Sequence, residues 1–176
     1  MVVTSRRKRN LTIITKWACY IFIVLVAAAL QSTPGFLEFG RVKPLFVLPV
    51  CLAVAIYERE YSGAFFGAFA GLLWDWTAGR VSGLMALGLL VVCFAAAIVV
   101  ELYLRVNYIN FILVNLACCL LVASTDFLFY YIMPGYTGLL RTYLTVVVPM
   151  ALFSAILSPI AMICVRWVKH RFVVED

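Results

Sequence analysis

Asp75 and Asp126 are the residues whose type and place first invite chemistry, because both carboxylates fall inside long apolar runs. An acid in such a run is costly and is kept for a partner, for water or for a function. Two acids sharing one water would equip an intramembrane aspartyl protease, but neither lies in a motif of that kind. Two other readings stay open. The aspartates line a pocket, or they are structural, paired with Arg80 and Arg141 or capping a broken helix end. Asn115, also deep in an apolar run, has the type to hydrogen-bond a neighbouring helix. Ser124 and Thr125, beside Asp126, have the type to bond back to their own backbone. Glu101 and Arg105 have the i,i+4 spacing of a local ion pair.

The remaining reactive types point away from catalysis. The six cysteines, Cys19, Cys51, Cys93, Cys118, Cys119 and Cys164, all lie in apolar runs, and none forms a Cys-x-x-Cys pair. They read as small buried apolar residues. The one histidine, His170, sits in a basic tail, so neither a zinc nor a haem site is expected. There is no nucleophile elbow, zinc-protease helix, phosphate loop or dinucleotide loop. The expectation is a protein that is not an enzyme and holds no cofactor.

Asp75 belongs to a ladder in which every fourth residue is special: Gly63, Gly67, Gly71, Asp75, Gly79 and Gly83. The first three glycines leave a smooth stripe along one helix. In a membrane, where water does not drive helices together, such stripes are where helices approach closely. Each four-residue step turns the helix by about 400°, so the stripe drifts by about 40° per step and suits a crossing partner. Packing within the chain's own bundle and reception of a partner's helix both fit this spacing. Gly79 lies where a helix C-cap glycine belongs, and Gly79 with Gly83 also suits a tight turn.

The elements that must position these residues are membrane helices. The chain has 176 residues, 66% hydrophobic and 12% charged, with a mean hydropathy of +1.08. Globular domains run nearer about 45–50% apolar and about 25% charged. The expected fold is all-α, a polytopic bundle of about six transmembrane helices. The spans read as about 13–30, 42–57, 61–76, 83–104, 108–133 and 139–168. Pro44 and Pro49 interrupt the second, and Pro149 and Pro159 are expected to kink the last. The second and third are short against the roughly 20 residues that spanning takes, which leaves tilting, local thinning or re-entrance open. Residues 1–12 then form a basic N-terminus, 13–168 the transmembrane domain and 169–176 a C-terminal tail.

With six spans, ten of the fourteen Lys and Arg residues fall on the side of the two ends, and Arg41, Lys43, Arg80 and Arg141 on the other. Both termini are therefore expected in the cytoplasm. The net charge of +6 requires no nucleic acid. The Arg6–Arg9 run is a topology signal that suits anionic lipid. No small-x-small cleavage site follows it, so no cleavable signal peptide is expected.

The stretch from Tyr57 to Val92 resembles the MreD family of bacterial rod shape-determining membrane proteins. That family carries a run of the form G-x3-G-x3-G-L-x2-D-x3-G-x3-G-x3-A-L. Gly63, Gly67, Gly71-Leu72, Asp75, Gly79 and Gly83 match it in register, and Ala86-Leu87 stand one position nearer. Trp74 and Trp76 replace more usual aliphatic residues. The early proline Pro44, the basic tail and the length agree with the family. The resemblance implies a multi-pass scaffold subunit of the bacterial inner membrane that works with the single-span protein MreC. The wider complex holds the MreB filament, the glycosyltransferase RodA and a class B penicillin-binding protein, and it directs side-wall peptidoglycan synthesis. By the resemblance, the glycines permit close helix approach, and Asp75 fixes the corner between spans three and four or pairs with an arginine.

A reading of a different class is the small-molecule-binding subunit of an energy-coupling-factor type vitamin transporter, also a compact six-span bundle. Asp75, Asp126, Arg141 and the tryptophans would then line an outward-facing pocket. The shortage of convergent polar groups counts against it.

Overall fold

Apolar runs broken by Pro, Gly and charged residues become helices, because helices satisfy their own backbone groups where water is absent. The computed structural model describes residues 6–33, 35, 42–78, 83–136 and 138–172. Among them are six helices: α1 (Arg6–Ser32), α2 (Val47–Glu58), α3 (Glu60–Ala78), α4 (Leu84–Tyr103), α5 (Tyr108–Ile132) and α6 (Leu139–Arg171). Of these, α1, α4, α5 and α6 are long and apolar enough to cross a membrane.

The second element departs from the expected span over 42–57. Residues 43–45 are not helical, and helix begins only at Val47. Pro44 explains this, since it offers no N–H and pushes Lys43 away from helical backbone. The 12 residues of α2 reach about 18 Å, against a hydrocarbon core of about 30 Å. Every residue from Val47 to Ala55 is buried. A short helix that is apolar on all faces belongs in a core, and α2 is the centre of this one.

Its entry into that core creates orphan N–H donors, which other helices satisfy. The Leu45 N–H donates to Ser154 Oγ of α6 at 2.7 Å. The Phe46 and Val47 N–H groups both donate to Gln31 Oε1 of α1 at 3.2 Å. Without water at this depth such groups need protein partners.

The least buried of the four membrane-length helices is α1, which docks through Gln31 near one end and through Trp17 and Tyr20 nearer the other. Trp17 stacks on Phe66 of α3 with ring centroids 5.7 Å apart, and Tyr20 is fully buried. Glu58, the last residue of α2, accepts from Tyr20 Oη at 2.8 Å and forms an ion pair with Lys16 at 2.6 Å. Lys16→Met is expected to loosen α1, because it leaves a mostly buried carboxylate with one donor fewer. Glu58→Gln, which keeps an acceptor for Tyr20, is expected to be milder. Maleimide labelling of half-buried Cys19 in detergent reads this out, and equal labelling rates in both variants and the parent would refute it.

At the other edge, α5 and α6 each contain a π-helical turn, Leu128–Ile132 and Tyr143–Val147. The second lies directly before Pro149, whose ring cannot donate to the carbonyl four residues back. The wider turn absorbs this break, and the helix continues to Arg171. Phe127 packs on both turns, 4.9 Å from Tyr131 and 5.4 Å from Tyr143 by ring centroid.

The expected Glu101–Arg105 ion pair does not form. Helix α4 ends at Tyr103, and Leu104 is extended, so the i,i+4 geometry is lost before Arg105 is reached.

The glycine face and the Asp75 corner

Gly63, Gly67 and Gly71 all face the chain's own helices. A Cβ on Gly63 would run into Ala55 of α2, at 2.5 Å from its Cα. On Gly67 it would lie 2.6 Å from the Leu89 carbonyl oxygen and 3.2 Å from Cys93 Cβ of α4. On Gly71 it would lie 2.5 Å from the Met85 carbonyl oxygen and run into Ala86 Cα. The obstacles are mostly backbone, so no rotamer change could make room. The stripe thus starts against α2 and moves onto α4, as the drift of a four-residue repeat around a helix requires. By contrast, a Cβ on Gly88 of α4 would meet no neighbouring atom within 4 Å.

Asp75 closes the same face. Its carboxylate is buried, with 3% of the residue exposed. Oδ2 accepts from the Gly83 N–H at 2.8 Å and lies 3.4 Å from the Ala86 nitrogen, while Oδ1 accepts from the Met85 N–H at 3.3 Å. These donors open α4. Gly83 itself has a left-handed backbone, φ 99°, and offers no side chain to cap the helix. Asp75 therefore acts as a cap supplied from the preceding helix. It meets the positive end of the α4 dipole and satisfies donors that have no intrahelical partner. Both oxygens face backbone.

Gly79 and Arg80 lie outside the described residues. Asp126 is half-buried just before the π turn of α5, Arg141 is exposed at the start of α6, and neither bonds to Asp75. Ser124, rather than bonding only to its own helix, meets Tyr143 Oη at 2.8 Å, whereas Thr125 Oγ1 donates back to the Leu121 carbonyl. Asn115 is fully buried and bonds across to α6, donating from Nδ2 to the Ser154 carbonyl at 3.4 Å. The sequence-derived polar residues thus separate into a corner at Asp75, a cross-link at Asn115 and an edge near Asp126 and Arg141. They do not converge on one pocket.

Sequence reasoning missed the Lys16–Glu58–Tyr20 cluster and the caps from Gln31 and Ser154. A signal was present in Glu58, an acid at the end of an apolar run, with Lys16 as a lone cation in another. Near it, Arg59 is the one described non-glycine residue with positive φ, 78° with ψ 167°. That region is essentially reserved for glycine. It lets α2 and α3 turn about a single residue, and Lys169 of α6 braces the turn by donating to the Tyr57 carbonyl at 2.5 Å.

Among the described residues no group of His, Cys, Asp and Glu has the arrangement to hold a metal ion. The chain is similar to a family model described as rod shape-determining protein MreD, which matches residues 11–169. No curated protein and no solved structure matches it.

Proposed function

The chain belongs to the MreD family of rod shape-determining membrane proteins, and from that premise we propose that it is the scaffold subunit that holds the single-span protein MreC in the cell-elongation complex. The rod shape-determining role, the multi-pass membrane character and the absence of enzymatic activity come with the family. The finer statement, that it grips MreC and helps couple MreB filaments to RodA and a class B penicillin-binding protein, is our reading. We place both termini in the cytoplasm on the ten-to-four distribution of basic residues and the protein in the bacterial inner membrane.

The observation that carries the scaffold reading is the use made of Asp75, the one acid in the buried class among the described residues. Asp75 directs both oxygens at backbone N–H groups, which is support for a rigid corner and leaves no free acid there for a substrate. The two cavities beside α1 are lined almost wholly by apolar side chains, which suits lipid and helices better than a polar vitamin. The glycine face is filled from within, so a partner helix would dock on another surface.

The test is native mass spectrometry of the protein extracted gently from its own membranes. A retained polypeptide with one span and a large outer domain is the expected result. Retention of a small polar molecule with no such polypeptide would overturn the scaffold reading and favour the uptake-subunit one.

A further inference from the structure

Between α1 and α6 the bundle is open to the membrane. A cleft of about 830 Å³ is lined by Thr15, Cys19 and Phe22 on one wall and by Cys164, Trp167 and Val168 on the other. Along α1 it runs from Thr15 to Ile23, about 12 Å of helix. That is close to one leaflet, half of a hydrocarbon core of about 30 Å. It continues past Ile23 and Cys164 into a smaller space of about 270 Å³ that follows α1 to Leu30, with Leu45, Phe46, Pro49 and Val50 around the start of α2 as its floor. The larger of the two spaces is therefore the one near the chain ends.

We propose that this cleft is a binding site for one anionic phospholipid, with its acyl chains in the cleft and its headgroup at the mouth. Apart from Thr15 the lining is apolar, which suits acyl chains.

Charge selects this occupant. The mouth lies at the end of the bundle where α6 closes with Lys169, His170 and Arg171. Arg171 follows Trp167 by four residues and so extends the same helix face beyond the lining. It is exposed, as are Arg166, His170 and Trp167. Glu58, the acid that sits near Lys16, is already neutralised by that ion pair. An indole at the rim with cations just beyond it matches the junction of acyl chain and headgroup, where tryptophan prefers to lie. Basic side chains there favour an anionic headgroup over a zwitterionic one.

The reading is independent of which polypeptide the protein binds. The experiment offers the purified full-length protein equal amounts of phosphatidylglycerol and phosphatidylcholine in mixed micelles and counts retained lipid by native mass spectrometry. One tightly held phosphatidylglycerol is expected. Arg171→Gln should weaken its preference over phosphatidylcholine by about fivefold, the typical effect of one basic residue near an anionic surface. Cys164→Trp, which fills the cleft from an exposed position, should remove the bound lipid. Unchanged thermal stability of Arg171→Gln guards against misfolding as the cause. Equal retention of both lipids, or a preference that survives both substitutions, would overturn the proposal. So would a partner helix cross-linked through Cys164 in native membranes, because it would occupy the same space.

Discussion

Gly71→Ala is expected to remove most of the folded protein, while Gly88→Ala leaves its amount and stability unchanged. Both sites lie in membrane helices, and both substitutions add a single methyl group. At Gly71 that methyl meets the Met85 carbonyl oxygen and Ala86 Cα, both backbone atoms of α4. Relief requires α3 and α4 to separate along their whole contact, and α4 is held in register at one end by Asp75. Overpacking a core costs about 1–3 kcal/mol where side chains can adjust, and here they cannot. At Gly88 the methyl enters open space. Gly67→Ala, opposed by the Leu89 carbonyl oxygen at 2.6 Å, should resemble Gly71→Ala. The measurement is the monodisperse fraction after detergent extraction, with the melting temperature of what remains. Equal behaviour of the Gly71 and Gly88 variants would show that the α3–α4 contact is not tight.

Asp75→Leu is expected to be as damaging as Gly71→Ala, with Asp75→Asn intermediate. Leucine leaves the Gly83, Met85 and Ala86 N–H groups at a buried helix start with no acceptor. Each such orphaned donor costs about 1–3 kcal/mol, and the Gly83 bond at 2.8 Å dominates because the other two are long. Asparagine keeps one acceptor oxygen but turns its amide NH2, itself a donor, towards the remaining donors and loses the charge that faces the α4 dipole. A graded series, parent above Asn above Leu, in both stability and rescue of rod shape in cells lacking the native protein, would establish the capping role. Parental stability of the Asn variant combined with complete loss of rod shape would instead mean that the charge serves a partner and not the fold.

The glycine ladder could be read from the sequence because its period is local. A residue every four positions on a helix declares a face whatever surrounds it. What that face meets depends on helix pairing, and the spacing fits a partner's helix as well as the chain's own. The structure decides it by bringing Ala55, Met85, Ala86 and Leu89 against the stripe. Asp75 is similar. Its cost in an apolar run marks it as special, and arginine pairing or helix capping were both available to it. Only the fold back of α4 on α3 places three backbone donors within its reach.

The boundaries of α3, α4 and α5 agree with the sequence to within a few residues, since each apolar run is bounded by Gly, Pro or charged residues. The second span agrees less well. Its composition is largely apolar, and composition does not reveal that Pro44 would be fully buried in non-helical chain. That conformation is tolerated only because Ser154, 109 residues away from Leu45, and Gln31 supply acceptors.

By itself, then, the sequence determined the class of the molecule, its helical segments, its tight face and its family, because hydropathy, helical period and motif are properties of short stretches of chain. The tertiary structure alone decided which helix fills the glycine face, what Asp75 holds, how α2 enters the core and where a cleft remains between the first and last helices. Those outcomes rest on contacts between segments far apart in sequence, where the need to satisfy every backbone donor away from water selects one arrangement among many that the local pattern allows.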